Sequence, residues 1–259
     1  MNLGLDGKRV LVTAASKGLG YASAKAFLAN GSRVIISSSN NENLKKAYES
    51  LKALGEVYMV KADLTKKEDI DNLFSEVNKI FNGLDVLVYV TGGPRPGKFM
   101  DLNDEDWIRA SELLLLSAVR CAKHAANLMK EGGRIIFSAS VAIKEPMEDL
   151  VLSNVVRISI AGLVRTLSKE LGRKGILVNA VLPGLILTDR VKELALNRSK
   201  REGKDINDVI KDMSKDIPLG RLGTPEEYAN VILFLASNLA TYINGASIPI
   251  DGGLLKSVF

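Results

Sequence analysis

One cysteine, Cys121, and one histidine, His124, in 259 residues leave several classes of chemistry without material. A lone thiol builds neither an internal disulfide framework nor a multi-cysteine metal cluster. A lone imidazole makes no His-rich zinc site, and its neighbours Ala122, Lys123, Ala125 and Ala126 place it in a helical pattern as a structural or exposed group. No metal centre is expected. Long hydrophobic runs are missing too. Nowhere does the chain approach the roughly 18 uninterrupted apolar residues of a membrane span, and its first residues hold no apolar stretch of signal-peptide length. The expectation is a cytoplasmic protein with no membrane partner. Net charge is only +5 and dispersed, which argues against nucleic acid while favouring an anionic small molecule.

What is present is a rhythm. Arg9–Val10–Leu11–Val12–Thr13 is a short buried-strand pattern, followed by small residues and an apolar stripe through Leu19, Ala22, Ala26 and Phe27 that stops at Gly31. The strand signal returns at Arg33 to Ser37, Val57 to Val60, Val86 to Val90, Arg134 to Phe137 and Leu177 to Val181, with stretches of helical period between. Repeated βαβ units imply a parallel sheet covered by helices, and the length suits one α/β domain over residues 1–259. Residues 41–53 read as one helix, 104–128 as a long one with Trp107, Leu114 and Val119 as core candidates, and 152–171 as another. Residues 189–217 carry charges of both signs. They read as a helical segment that covers a substrate, or else as a static contact between copies.

Thr13–Ala14–Ala15–Ser16–Lys17–Gly18–Leu19–Gly20 joins the first strand to the first helix. Gly18 and Gly20 permit a tight turn and close approach of backbone to phosphate, and the helix amino terminus offers N–H groups to negative charge. In strand–turn–helix context this predicts dinucleotide binding. The second strand ends in Ser37–Ser38–Ser39–Asn40, without the acid that would grip an NAD ribose and repel an extra phosphate. Lys17 with Ser38 and Ser39 would instead accept that phosphate, so NADP is favoured over NAD, although Lys17 also reads as a plain solvent-facing charge. Asp63 contacts an adenine edge or caps the next helix. Thr91–Gly92–Gly93 brings main chain beside the cofactor or serves only as a turn. Pro183–Gly184–Leu185–Ile186 with Thr188 would enclose the nicotinamide. The candidate cofactor contacts are thus Thr13, Ser16, Lys17, Gly18, Leu19, Gly20, Ser38, Ser39, Asp63, Leu64, Gly92, Pro183, Gly184, Ile186 and Thr188.

From Lys8 through Gly253 the chain resembles the short-chain dehydrogenase/reductase family, specifically its β-ketoacyl-ACP-reductase-like members, as a divergent branch. Gly18, Gly20, Ser140, Asn179, Pro183, Gly184, Thr188 and Ile250–Asp251–Gly252–Gly253 agree with the family pattern. The departures are systematic. The first loop glycine falls on Ala14, the strand-four Asn-Asn-Ala-Gly on Tyr89–Val90–Thr91–Gly92, and the relay asparagine on Leu114. The Tyr and Lys of the active pair fall on Ser153 and Arg157. The resemblance implies a single-domain Rossmann fold with a seven-stranded parallel sheet in order 3-2-1-4-5-6-7 flanked by helices. It also implies a homotetramer or dimer, and hydride exchange between NADP(H) and a small-molecule or acyl carbonyl/alcohol substrate, with 3-oxoacyl reductase-like activity among the options.

Four positions apart on a helix, Ser153 and Arg157 share a face. In a catalytic reading, Ser140 and Ser153 hold a substrate carbonyl while Arg157 stabilises the developing oxyanion. A serine has no advantage as a general acid at neutral pH, and arginine stays protonated with a planar donor set unlike lysine's compact ammonium. In the alternative, Ser153 caps its helix, Arg157 pairs with an outer acid, and the protein is an inactive dinucleotide-binding sensor or assembly subunit. Tyr89 reads as a core aromatic. Lys144 and Glu145 are open between a proton route and exposed loop charges.

Overall fold

The computed structural model describes residues 2–258. Seven strands form one parallel sheet: β1 (Arg9–Val12), β2 (Arg33–Ser38), β3 (Val57–Lys61), β4 (Val86–Tyr89), β5 (Arg134–Ser138), β6 (Leu177–Pro183) and β7 (Ser247–Ile250). The order is β3-β2-β1-β4-β5-β6-β7, as the resemblance implies. The helices are α1 (Gly18–Ala29), α2 (Asn41–Leu51), α3 (Lys67–Phe81), α4 (Asp104–Ser111), α5 (Ser117–Leu128), α6 (Val151–Gly172), α7 (Asp189–Glu202), α8 (Ile206–Ser214) and α9 (Pro225–Ala236).

Strand side chains alternate between two apolar layers, so both faces are buried and the strands read as continuous runs. Val10, Val12, Val34, Ile36 and Val88 pack under α1, α2 and α9 with Phe27, Leu44 and Ile232. Leu11, Ile35, Leu87, Ile135 and Phe137 pack on the opposite face with Phe74, Cys121 and Ile160 of α3, α5 and α6. Among the described residues, α6 is the one helix long and apolar enough to cross a membrane by length and composition. Arg157, Arg165 and Lys169 interrupt it, and Val156, Ile160 and Val164 bury its inner face.

The helix expected over 104–128 is broken by a π turn at Glu112–Leu116. A π turn carries an extra residue per turn, and within it the Leu113 carbonyl accepts from Tyr89 Oη at 3.0 Å and Ser117 Oγ at 2.5 Å. Tyr89 Oη also lies 2.6 Å from Ser117 Oγ. Tyr89 is therefore the core aromatic that its strand position suggests. Beyond the π turn, Ala118, Cys121, Ala122 and Ala125 form the buried side of α5, and Val119, expected in the core, faces outward. His124 stacks on Phe74 with ring centroids 5.1 Å apart and bonds Asp71 at 2.8 Å.

Candidate active site

The sheet order reverses between β1 and β4, so the loops leaving their carboxyl ends diverge and open a crevice. Thr13 holds that point together. Its hydroxyl donates to the Val90 carbonyl at 2.6 Å and accepts from the Val90 amide at 2.8 Å. Thr13 is wholly buried and by this clamp shapes the crevice.

The next residue, Ala14, adopts φ +46°, a left-handed conformation natural to the glycine it replaces. Gly20 answers a separate constraint, since a Cβ there would stand 2.6 Å from the Ala14 carbonyl oxygen. Helix α1 therefore starts directly against the turn. Its N-cap, Lys17, supplies no side-chain cap, so the first amides and the positive end of the helix face outward. A cavity of 380 Å³ opens there, lined by Lys17, Gly18, Leu19, Gly20, Thr91, Thr188 and others.

A second cavity of 590 Å³ shares Ala14, Thr91, Gly92 and Gly93 with the first and extends over the ends of β2 and β3. Ser16, Ser38, Ser39, Asp63 and Leu64 line it, and Ser16 and Ser38 are joined by a hydroxyl bond of 2.9 Å. Lys17 lines the smaller cavity, not this one. Asp63 caps no helix: Lys66 is the N-cap of α3, and Asp63 Oδ1 instead accepts from the Thr65 amide and hydroxyl at 3.0 and 2.8 Å. Burial pushes its carboxyl up, but the Thr65 bonds and the charges of Lys66 and Arg109 outweigh that and hold it below the usual aspartate range. It therefore presents an acceptor to the cavity. Arg95, Arg109, Ala110 and Leu113 also line this space. Sequence reading passed over them because the charge run from Asp104 to Arg109 looks like a solvated helix face.

Of the loop after β6, Thr188 reaches the crevice, and a Cβ on Gly18 would lie 3.4 Å from its methyl carbon. Pro183, Gly184 and Ile186 do not line these two cavities. Pro183 pairs with Ile250 in the sheet, a Cβ on Gly184 would stand 2.9 Å from Asp251 Cβ, and Ile186 is buried beside Gly223. All three hold the loop against β7 and its neighbours.

Ser153 and Arg157 do share one inner face of α6, at 7% and 8% exposure. Arg157 Nε donates to Ser153 Oγ at 3.1 Å, and Nη2 donates to the Gly92 carbonyl at 3.1 Å. Since Gly92 borders both cavities, the guanidinium ties α6 to the crevice wall. Ser153 does not cap its helix, since Leu150 is the N-cap of α6, and Arg157 is buried. Ser140 follows β5 and accepts from the Ala142 amide at 3.1 Å, capping a short 3-10 turn, with no hydrogen bond to Ser153. Leu114 is 1% exposed and packs with Ala110, Leu152 and Val156, so the relay position is apolar. Glu145 accepts from the Lys256 amide, and Lys144 lines a separate surface hollow. Among the described residues no group of three His, Cys, Asp or Glu is arranged to hold a metal.

Comparison with known proteins agrees with this architecture from end to end. Residues 13–255 match the family model described as enoyl-(acyl carrier protein) reductase. The chain is 33% identical to the uncharacterized oxidoreductase YvrD of Bacillus subtilis, covering 100% of both. It is 32% identical to the 3-oxoacyl-[acyl-carrier-protein] reductase FabG of Aquifex aeolicus, over 98% of this chain and 100% of that one. The L-sorbose reductase of Gluconobacter frateurii, solved with NADPH and L-sorbose, superposes with a TM-score of 0.96 at 32% identity, covering 100% of each chain. A switch-point crevice, a glycine turn against an open helix end and full-length likeness to such reductases lead to one conclusion: the chain belongs to the short-chain dehydrogenase/reductase family.

Proposed function

We propose that this protein is an NADP(H)-dependent oxidoreductase of a carbonyl/alcohol pair in which Ser140, Ser153 and Arg157 replace the usual tyrosine–lysine chemistry. The open amides of α1 suit a pyrophosphate, Asp63 suits an adenine amino edge, and Ser38 and Ser39 bring no acid to oppose a 2′-phosphate. Lys17 lines the smaller cavity, and its long exposed side chain is the cation we assign to that phosphate. NADPH-bound relatives such as the sorbose reductase support this preference. When bound, the cofactor supplies hydride to the carbonyl carbon.

The observation that carries the reading is the buried Ser153–Arg157–Gly92 linkage. Ser153 Oγ accepts from Arg157, so its own proton is left to donate toward a substrate oxygen. Ser140 Oγ likewise accepts from Ala142 and keeps its proton for donation. Two hydroxyl donors backed by a fixed cation stabilise an oxyanion as it forms. Neither is a proton reservoir at neutral pH, so the proton that completes the alcohol comes from water through Ser153. A 3-oxoacyl thioester is one candidate substrate, supported by likeness to the Aquifex reductase. Helices α7 and α8 follow the crevice loop, and we assign them as its cover.

The buried Leu114 favours a second reading, a nucleotide-binding sensor without turnover, because no side chain there can relay protons. NADPH oxidation across carbonyl substrates, with binding measured separately, decides between them. Turnover lost in S153A while NADPH affinity holds supports the enzyme. Binding without turnover on any carbonyl class supports the sensor. We further assign the outer face of α5 and α6, where Val119, Val155 and Ile158 are exposed, to self-association. Sedimentation of V155D/I158D as a smaller species than the wild type tests it.

A further inference from the structure

The larger cavity contains a cation that the family pattern did not call for. Arg109, on α4, lines it together with Asp63, Leu64, Ala110 and Leu113. Its neighbour Arg95 also lines the cavity but is held by Asp106, Nη1 to Oδ2 at 2.5 Å. Arg109 enters no ion pair among the described residues and is exposed while lining the same space. Ala62, Leu64, Ala110 and Leu113 supply apolar wall, and Asp63 supplies an acceptor. A flat heteroaromatic amine fits this set: one face on aliphatic carbon, its amino edge toward Asp63, and its other face open to water unless something planar covers it. A guanidinium is planar, weakly hydrated and attracted to π faces, where an ammonium would offer charge alone.

We propose that Arg109 is a specificity-determining residue for the base of the dinucleotide, its guanidinium closing over the solvent face of adenine while Asp63 holds the amino edge. This rests on the nucleotide reading above and adds to it a residue on α4. The field of Arg109 also helps keep Asp63 ionised against the effect of burial, so the two act on the base together.

The test is equilibrium binding, by calorimetry or ligand fluorescence, of NADPH, NADH and reduced nicotinamide mononucleotide to wild type, R109A and R109K. R109A is expected to weaken NADPH and NADH by the same factor, about threefold to thirtyfold, and to leave the mononucleotide unchanged. R109K is expected not to restore affinity. A loss confined to NADPH would assign Arg109 to the 2′-phosphate and overturn the proposal. So would full recovery in R109K, which would show that charge alone matters, or a loss shared by the mononucleotide. Wild type that binds none of the three overturns the nucleotide reading together with this inference. Tight wild-type binding that R109A leaves untouched overturns only the inference.

Discussion

Ala14 occupies a left-handed conformation at φ +46° that costs an L-residue energy and glycine almost none. Restoring glycine relieves that strain while enlarging the unfolded ensemble, and the two effects oppose each other. A14G is therefore expected to be neutral or to stabilise by up to about 1 kcal/mol in urea denaturation. A loss of that size would show that the Ala14 methyl packs usefully. The Ser153–Arg157 pair makes a sharper prediction. Removing the Ser153 donor should lower kcat by about a hundredfold, with NADPH affinity and melting temperature little changed. Because Arg157 is buried, R157A risks unfolding, so R157K is the companion variant; it should fold and bind while its hydroxyl partner loses the guanidinium fork. Equal losses of stability and turnover in both would assign the pair to structure. The identities of these residues, and their common helical face, were legible from spacing alone. Their burial and the bond to Gly92, which lies 65 positions away, were not.

The stretch from α4 to α5 shows where period reading stops. Its apolar spacing is that of one long helix, and hydropathy carries no mark of a π turn. A tertiary partner meets the turn, since the Leu113 carbonyl accepts from the Tyr89 phenol of β4. Y89F should cost about 1 kcal/mol from that lost bond, read by thermal melting, with little effect on NADPH binding. An unchanged melting temperature would mean that Ser117 alone satisfies the carbonyl. The same segment carries Leu114 into a cluster with Ala110, Leu152 and Val156. Putting the family's asparagine back into this apolar setting should destabilise by about 2–4 kcal/mol without raising turnover. If L114N instead raises kcat, the polar relay is missing only for want of that side chain.

Over the whole molecule, the sheet is closed at the end away from the crevice by Arg9 and Asp85. Arg9 Nε and Nη2 reach the Asp85 carboxylate at 2.9 and 2.7 Å, and its Nη1 reaches the Asn82 carbonyl at 2.9 Å. Burial pushes the Asp85 carboxyl up, yet the bonds from the Arg9 side chain and amide leave it below the ordinary aspartate range. With its folded-state pKa lower than the unfolded value of ~3.9, its contribution is complete above that value and fades as pH falls through the folded one. Melting temperature should drop in that acid window, and D85N should flatten the drop while sparing nucleotide binding. An identical acid limb in D85N would move the sensitivity to other carboxylates.

The βαβ rhythm and the glycine turn could be read from the chain alone, because strand period, helix period and turn geometry are properties of neighbours in sequence. Seven parallel strands follow from that repetition, and from the family resemblance follows their order. Whether a residue lines the crevice or braces it depends instead on partners brought in from far along the chain. Thr13 turns toward Val90, Gly184 lies on Asp251, and Arg109 of α4 lines the same cavity as Asp63 from the loop after β3. Hydrogen bonds and close packing act over a few ångströms in space, and only folding makes residues such as Arg157 and Gly92 neighbours.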